Sequence, residues 1–519
     1  MNNSKIKFLS FASMSLCIAL APLACGSDDD DSSSGTAGKP STGGTAGTAG
    51  KTSTGGTAGK TSTGGSSSMA GDGSVTGGDD AGGSGGAATA PKARLRVVHA
   101  SPNAPSVDIY PKGSTTAAAT AVEYGTATDF LDVDAGTIAF DLRAAGAEAD
   151  TDPAFTTDDI TLNEGADYTL VAAGDFEDPV NVDTGFRMLA LEHDFDAPSA
   201  NTALARVVHA TSAWETVDFD VAGTADVDLP MLDRFGDASN VALPAAAVTD
   251  VDFQTDDAGV LSKLTLPKLT AKSELFVIAT GNPGFPFRAP ANGFALLVVD
   301  QDGKVSWVKE QPWLHMVHAS DISTVDVYET THTAAAGKLT DNLATETMAA
   351  FQLPTSAAGF SLKAVADDAA AGTATALATG TTSTLEAGEH YLSYIAANTI
   401  QTIHEQFDLE QPTKVMLCGV HASTDLAQTV DFGAVVSDLL STVLIDSVAP
   451  STSSDEAGVA INPGNVILGV STHAMTAVLA QKTLTAAAAP VAGERDFALL
   501  VGLDGLWLVN TSVAGWTLR

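Results

Sequence analysis

The chain of 519 residues predicts an all-β protein: four tandem β-sandwich units of immunoglobulin-like type after a disordered Gly/Ser/Thr-rich linker. Three observations carry the prediction. A Val-His-Ala-(Ser/Thr) motif followed by Val-Asp-apolar occurs four times. Apolar residues alternate with polar ones or run in short blocks, and no long segment has a helical period. Residues 26–91 hold 20 of the 48 glycines and no Leu, Ile, Phe, Tyr or Trp.

The amino terminus reads as a leader. Lys5 and Lys7 precede an apolar run from Phe8 through Ala24, and Cys25 follows, which is the layout of a lipoprotein signal peptide over residues 1–25. The run is too short for a comfortable membrane span. Ala21-Pro22-Leu23-Ala24-Cys25-Gly26 resembles a bacterial lipobox, with Pro22 standing where Leu is usual. Cys25 is therefore the expected lipidation site, and a multiply acylated terminus gives stable anchoring. Cleavage at a small-residue site, with release of a free exported protein, is the competing reading. Once Cys17 leaves with the leader and Cys25 carries lipid, Cys418 is the last thiol, so no intrachain disulfide forms and Cys418 is expected to be buried and inert.

Residues 26–91 cannot bury enough apolar surface to offset ordering entropy, so they are expected to be disordered. Gly50-Lys51-Thr52-Ser53-Thr54-Gly55-Gly56 recurs at Gly59 to Gly65. A flexible tether of this length spans about 45 Å, from roughly 5–6 Å times the square root of residue number. Gly59-Lys60-Thr61 is no phosphate loop, because Thr54 stands where the first glycine belongs. Gly82-Gly83-Ser84-Gly85-Gly86 lacks the strand and helix of a nucleophile elbow.

From residue 92 the repeats begin. The motif pairs His99 with Asp108, His209 with Asp218, His318 with Asp326, and His421 with Asp431. The spacing divides the chain into units at 92–200, 201–311, 312–412 and 413–519. The second and fourth units close with Phe-Ala-Leu-Leu-Val (Phe294 to Val298, Phe497 to Val501) before Asp302-Gly303 and Asp504-Gly505; the first and third end in Phe195-Asp196 and Phe407-Asp408. The array thus reads as two tandem pairs. Arg94-Leu95-Arg96-Val97 and Val107-Asp108-Ile109-Tyr110 alternate as strands. Tyr168 to Val171 and Leu275 to Ile278 read as buried core strands, and each Asp-Gly as a hairpin in which both residues accept positive φ.

The stretch Val-His-Ala-Ser-Pro-Asn-Ala-Pro-Ser-Val-Asp-Ile-Tyr at residues 98–110 resembles the opening of the bacterial domain of unknown function 4397. The other copies are looser, with Trp214-Glu215 in place of the Pro-rich turn and an Asp425-Leu426-Ala427-Gln428 insert in the fourth. The resemblance implies a β-rich module of exported and cell-surface proteins, with no activity attached.

Each His and Asp pair could face across a strand, turn and strand as a metal-ligating or acid/base pair. Four copies instead favour a structural pin, because a fold-defining hairpin must repeat and a catalytic site seldom does. No metal site is expected. His315 and His318, three apart on a strand, point to opposite faces, and His404-Glu405-Gln406-Phe407-Asp408 ends in Asp where a zinc motif needs His. Asp300-Gln301-Asp302-Gly303 begins like a calcium loop, but Gln311 stands where the final Glu belongs. Asp158-Asp159 and Asp256-Asp257 read as solvated loop pairs, and weak calcium binding between units stays open as the one cofactor expectation.

Charge limits the partners. Residues 92–519 keep 56 of the 63 acids and 20 of the 25 bases, which excludes nucleic acid and docking on anionic lipid. The expected protein is an exported, lipid-anchored lipoprotein of the outer membrane or cell surface of a Gram-negative bacterium. It would display its modules for binding, adhesion or a structural role toward polysaccharide or an envelope protein. With no catalytic motif in the folded part, an envelope enzyme with a site formed between repeats is the alternative.

Overall fold

The computed structural model describes residues 91–519 except 180, 223–226, 256–258, 331–336, 368, 370–372, 486–487 and 514. The leader, Cys25, the linker up to residue 90 and Asp256-Asp257 lie outside the described residues. Within them the protein is all-β, with 36 strands and no α-helix. Strands such as Thr202–His209 and Glu274–Thr280 are rich in Val, Ile, Leu and Phe and free of Pro, which suits a pleated, buried surface.

One pairing scheme recurs along the chain. Each motif histidine ends a strand: Lys92–His99, Thr202–His209, Trp313–His318 and Val415–His421. Each of these pairs in parallel with a strand some 75 residues later: Asp167–Ala173, Glu274–Thr280, His390–Ala396 and Arg495–Val501. We call these the histidine sheets. The parallel pair sets them apart from a wholly antiparallel sandwich. Each motif aspartate lies on the middle strand of a second, antiparallel sheet, between Ala119–Val122 and Phe140–Ala144 in the first copy. In the third copy the two sheets join edge to edge through Thr379 and Thr399, giving eight strands in one sheet.

Each histidine sheet shares a core with its aspartate sheet. In the second copy Val207, Val277 and Leu296 meet Phe219, Phe253 and Leu264, all nearly inaccessible. The opposite face of the histidine sheet is buried as well. Val98, Val171 and Leu191 of the first pack with Val208, Phe276, Ile278 and Leu297 of the second. Val317, Leu392 and Tyr394 of the third pack with Met416, Cys418, Phe497 and Leu499 of the fourth. Histidine sheets therefore meet face to face, first with second and third with fourth. Full burial of each Val, Leu, Ile or Phe contributes about 1.5–3 kcal/mol. A strand covered on both faces is mostly apolar, as in Leu275 to Ile278; buried polar exceptions such as Thr169 and Ser393 are hydrogen-bonded, to Arg96 and to Thr402.

Two sequence expectations change at this junction. Arg96 alternates as if facing solvent, yet it is fully buried. Its Nε donates to Thr169 Oγ1 at 2.9 Å and its Nη1 to the Asp300 carbonyl at 2.8 Å, across to the second histidine sheet. Burial lowers its pKa to about 10. The Asp-Gly hairpins join their strands as expected, but Asp302 and Asp504 are not left-handed; the left-handed residues are Gly303 in one turn and Gly502 in the other.

Candidate functional site

The four motif histidines occupy one structural position. In each copy the imidazole is fully buried. Nε2–H donates to a loop carbonyl: His99 to Pro105 at 3.2 Å, His318 to Ser323 at 3.4 Å, and His421 to Gln428 at 3.0 Å. His209 faces the Trp214 carbonyl without reaching hydrogen-bond geometry. Burial holds all four rings below the ordinary histidine pKa, His209 at about 4. They are neutral at pH 7.

Their backbones do matching work. The histidine carbonyl accepts an N–H from Gly125, Phe235, Glu346 or Ser451, at 2.7 to 3.1 Å, and all four of those donors are left-handed. Only Gly takes that conformation without a steric cost. At Gly125 a second reason applies, since a Cβ there would lie 2.4 Å from the Trp307 ring.

The aspartates cap a bulge. In every copy the partner strand carries one extra residue opposite the motif aspartate. A residue in that bulge is left-handed: Ala121, Met231, Asn342 or Ser447. Its N–H donates to the carboxylate of Asp108 at 2.7 Å, Asp218 at 2.7 Å, Asp326 at 3.0 Å or Asp431 at 2.8 Å. Asp108 accepts a second N–H, from Gly146 at 2.9 Å, and Asp431 one from Ala474 at 3.1 Å. Burial opposes ionisation of Asp326, but the Lys338 ammonium and the Asn342 N–H hold its pKa below the usual range. We expect Asp108→Ala, which strands two N–H groups, to cost about 2–4 kcal/mol of stability. An unchanged urea midpoint would show that the carboxylate does not hold the bulge.

The structure does not bring the eight motif residues together into one centre. The calcium-like turn is self-satisfied, because Asp300 Oδ1 accepts the N–H groups of Asp302 at 3.0 Å and Lys304 at 2.8 Å. Asp158 and Asp159 are exposed. His315 and His318 do face opposite ways, one onto Trp516 and the other onto Ser323. Cys418 is buried, and burial pushes its thiol up to about 12, so it is not a thiolate at neutral pH. One group of metal-ligand atoms lies close together among the described residues: Asp431, Asp446 and His473, within 4.8 Å of one another. The hydrogen bond to Asp431 raises the His473 pKa, and the imidazole lies 2.9 Å from Asp431 and 3.2 Å from Asp446. Lys338 bridges the matching Asp326 and Asp341 of the third copy in the same way.

Sequence reasoning missed two features at the junction of the third and fourth copies. Arg288, on a Pro/Gly-rich loop of the second copy, donates to Glu405 at 2.5 Å and to Glu389 at 3.1 Å. His315 and His390 are both buried with all four ring nitrogens unpartnered, and Trp516 stacks on His315 at 3.9 Å. The loop's lone Arg among Gly and Pro was a visible signal for the first. His390, outside any motif, gave none.

A third feature is a cleft of about 490 Å³ where the third and fourth histidine strands end. Ala319-Ser320 and Ala422, which follow the motif histidines, lie on its wall.

A family model described as a domain of unknown function, DUF4397, matches residues 93–220. The match contains the motif pairs His99 with Asp108 and His209 with Asp218. No curated protein matches the chain. Among solved structures, the Bacillus anthracis TIE protein is 9% identical over 80% of this chain and 68% of its own, with a TM-score of 0.12. The product complex of SpuA, a multi-modular glycogen-degrading pneumococcal virulence factor, is 9% identical over 75% of this chain and 37% of its own, with a TM-score of 0.14. Likeness at that level carries no argument about fold or function.

Proposed function

We propose that the protein is an exported, lipid-anchored envelope lipoprotein. Its four tandem β-sandwich modules, at residues 92–200, 201–311, 312–412 and 413–519, serve binding, adhesion or a structural role. The observation that carries this reading is the use of the repeated motif: in all four copies the aspartate is spent on a bulge N–H and the histidine backbone on a left-handed turn. Residues engaged in the same way in every copy are fold-defining and leave no free acid/base pair. The recurrence of the histidine sheet and its face-to-face pairing support four modules arranged as two pairs. Lys5, Lys7, the apolar run and Cys25 support the anchor.

The anchor is tested by expressing the full chain and its Cys25→Ser variant and separating membrane from soluble fractions. The native chain is expected in the membrane fraction and the variant in the soluble one. A variant that still partitions with membranes would sink the lipid anchor.

A further inference from the structure

The bulge held by each motif aspartate is preceded by a different residue from copy to copy. Thr120 comes before Ala121 and Pro230 before Met231, whereas the third and fourth copies place an aspartate there, Asp341 before Asn342 and Asp446 before Ser447. These two copies therefore set a second carboxylate beside the first. In the third, Lys338 answers both, with its ammonium 2.7 Å from Asp326 and 2.5 Å from Asp341. A cation bridges the pair.

The fourth copy keeps both carboxylates without that lysine. Val327 pairs with Thr340 and Tyr328 with Lys338 in the third copy, as Phe432 pairs with Ile445 and Gly433 with Val443 in the fourth, so exposed Val443 takes the place of Lys338. An imidazole enters instead, from His473 just past the strand Val466–Thr472. Its Nδ1 lies 2.9 Å from Asp431 Oδ1, 3.2 Å from Asp446 Oδ1 and 3.0 Å from Ser447 Oγ. The three N–H groups of an ammonium serve two carboxylates at once, whereas a single Nδ1–H donates well to one.

The geometry suits a metal ion in the lysine's role. Asp431 is buried and fixed, with the Ser447 N–H on Oδ1 at 2.8 Å and the Ala474 N–H on Oδ2 at 3.1 Å, and each oxygen keeps a second lone pair. Ligand atoms of Asp431, Asp446 and His473 lie within 4.8 Å of one another. Nitrogen and oxygen ligands about 2.1 Å from one zinc ion stand roughly 3 Å apart at a right angle and roughly 3.4 Å apart at the tetrahedral angle. The observed separations of 2.9 and 3.2 Å match those edges once the imidazole is neutral. The donor set then selects the metal class, since calcium and magnesium take oxygen ligands and an imidazole favours zinc and its neighbours. We propose that Asp431, Asp446 and His473 of the fourth copy bind a divalent transition-metal ion of the zinc class, with water completing the coordination on the exposed side. The proposal goes beyond surface display and does not depend on the anchor.

The test titrates the chelator-stripped full chain with Zn²⁺ near neutral pH at about 0.15 M salt, where surface charges are screened beyond roughly 8 Å, and reads heat and melting temperature. One saturable site per chain is expected, with a rise in melting temperature because the ion binds the folded form. His473→Ala is expected to lose both signals, and Asp446→Asn to weaken binding about ten-fold or more. Val443→Lys, which supplies the ammonium that the third copy already carries, is expected to abolish zinc binding while circular dichroism stays unchanged. All three positions are exposed, and if one variant fails to fold the other two carry the test. The proposal is overturned by no saturable site, by a site that survives His473→Ala, by undiminished binding in Val443→Lys, or by equal displacement with Ca²⁺ at matched ionic strength. Because the Cys25→Ser variant keeps these three residues, it should bind Zn²⁺ like the native chain, so the metal site and the anchor succeed or fail separately.

Discussion

Replacing Arg288 with Ala is expected to lower the free energy of unfolding by about 3–5 kcal/mol, the usual cost of removing one partner from a buried ion pair. The Glu405 side chain is 1% exposed, and its carboxylate depends on Arg288 Nη2 at 2.5 Å. Arg288 Nη1 also reaches the Glu405 carbonyl at 3.1 Å and Glu389 at 3.1 Å. Burial raises the Glu405 pKa, and Arg288 and then Arg495 oppose that shift. Without Arg288 the nearest cation is Arg495 at 4.0 Å, itself buried with Nε unpartnered. The carboxylate must then take up a proton or admit water.

The loss should exceed a single contact, because Arg288 belongs to a loop that also ties Phe287 N–H to the Gly388 carbonyl at 2.7 Å and Asn292 to the Pro102 carbonyl at 2.8 Å. One loop of the second copy thus touches the first and third. Urea unfolding at pH 7 checks the figure, and a loss below about 1 kcal/mol would mean that Glu405 is not held by this guanidinium. The double variant Arg288→Met/Glu405→Met should recover much of the loss, since a matched apolar replacement removes the buried charge together with its partner.

The motif and the strand periodicity made the all-β class legible from sequence. Val98 and His99 are adjacent, yet one packs against the second histidine sheet and the other turns to the Pro105 carbonyl. A strand with two buried faces leaves no polar alternation to read, which is also why Arg96 suggested a solvent face. The aspartate's structural role was expected from its repetition, but the residue it holds was hidden for a different reason. Its partner lies thirteen or sixteen residues downstream and is Ala, Met, Asn or Ser, and only Asn has a marked preference for the left-handed region.

Acid is expected to act hardest on the junction of the third and fourth copies. His390 is buried, and burial first, then Arg288 and Arg495, lower its pKa to about 3; burial likewise puts His315 well below the ordinary value. Each ring would have to accept a proton inside a core whose other members are Trp516 at 3.9 Å from His315 and the second imidazole at 5.5 Å. A depressed histidine pKa means that the unfolded chain binds the proton first. The stability contributed by neutral His390 is therefore complete above pH 6.5 and is lost as pH falls toward about 3. One proton corresponds to about 1.4 kcal/mol per pH unit, so His390 alone should cost about 3 kcal/mol between pH 6.5 and 4.5.

Two buried carboxyls work in the opposite sense. Burial raises Glu310 and Asp496 to about 7, so the folded chain protonates them before the unfolded chain does and gains stability as pH falls from 7 toward 4. The net curve mixes both signs, and the difference between variants isolates the histidine. His390→Leu should be less sensitive than the native chain by about 1.4 kcal/mol per pH unit over the window from 6.5 to 4.5, whatever its absolute stability. Stacking against His315 makes Trp516 fluorescence the local reporter, and its change should precede global unfolding in the native chain. Parallel stability curves for the native chain and His390→Leu would show that this imidazole is not the acid-sensitive element.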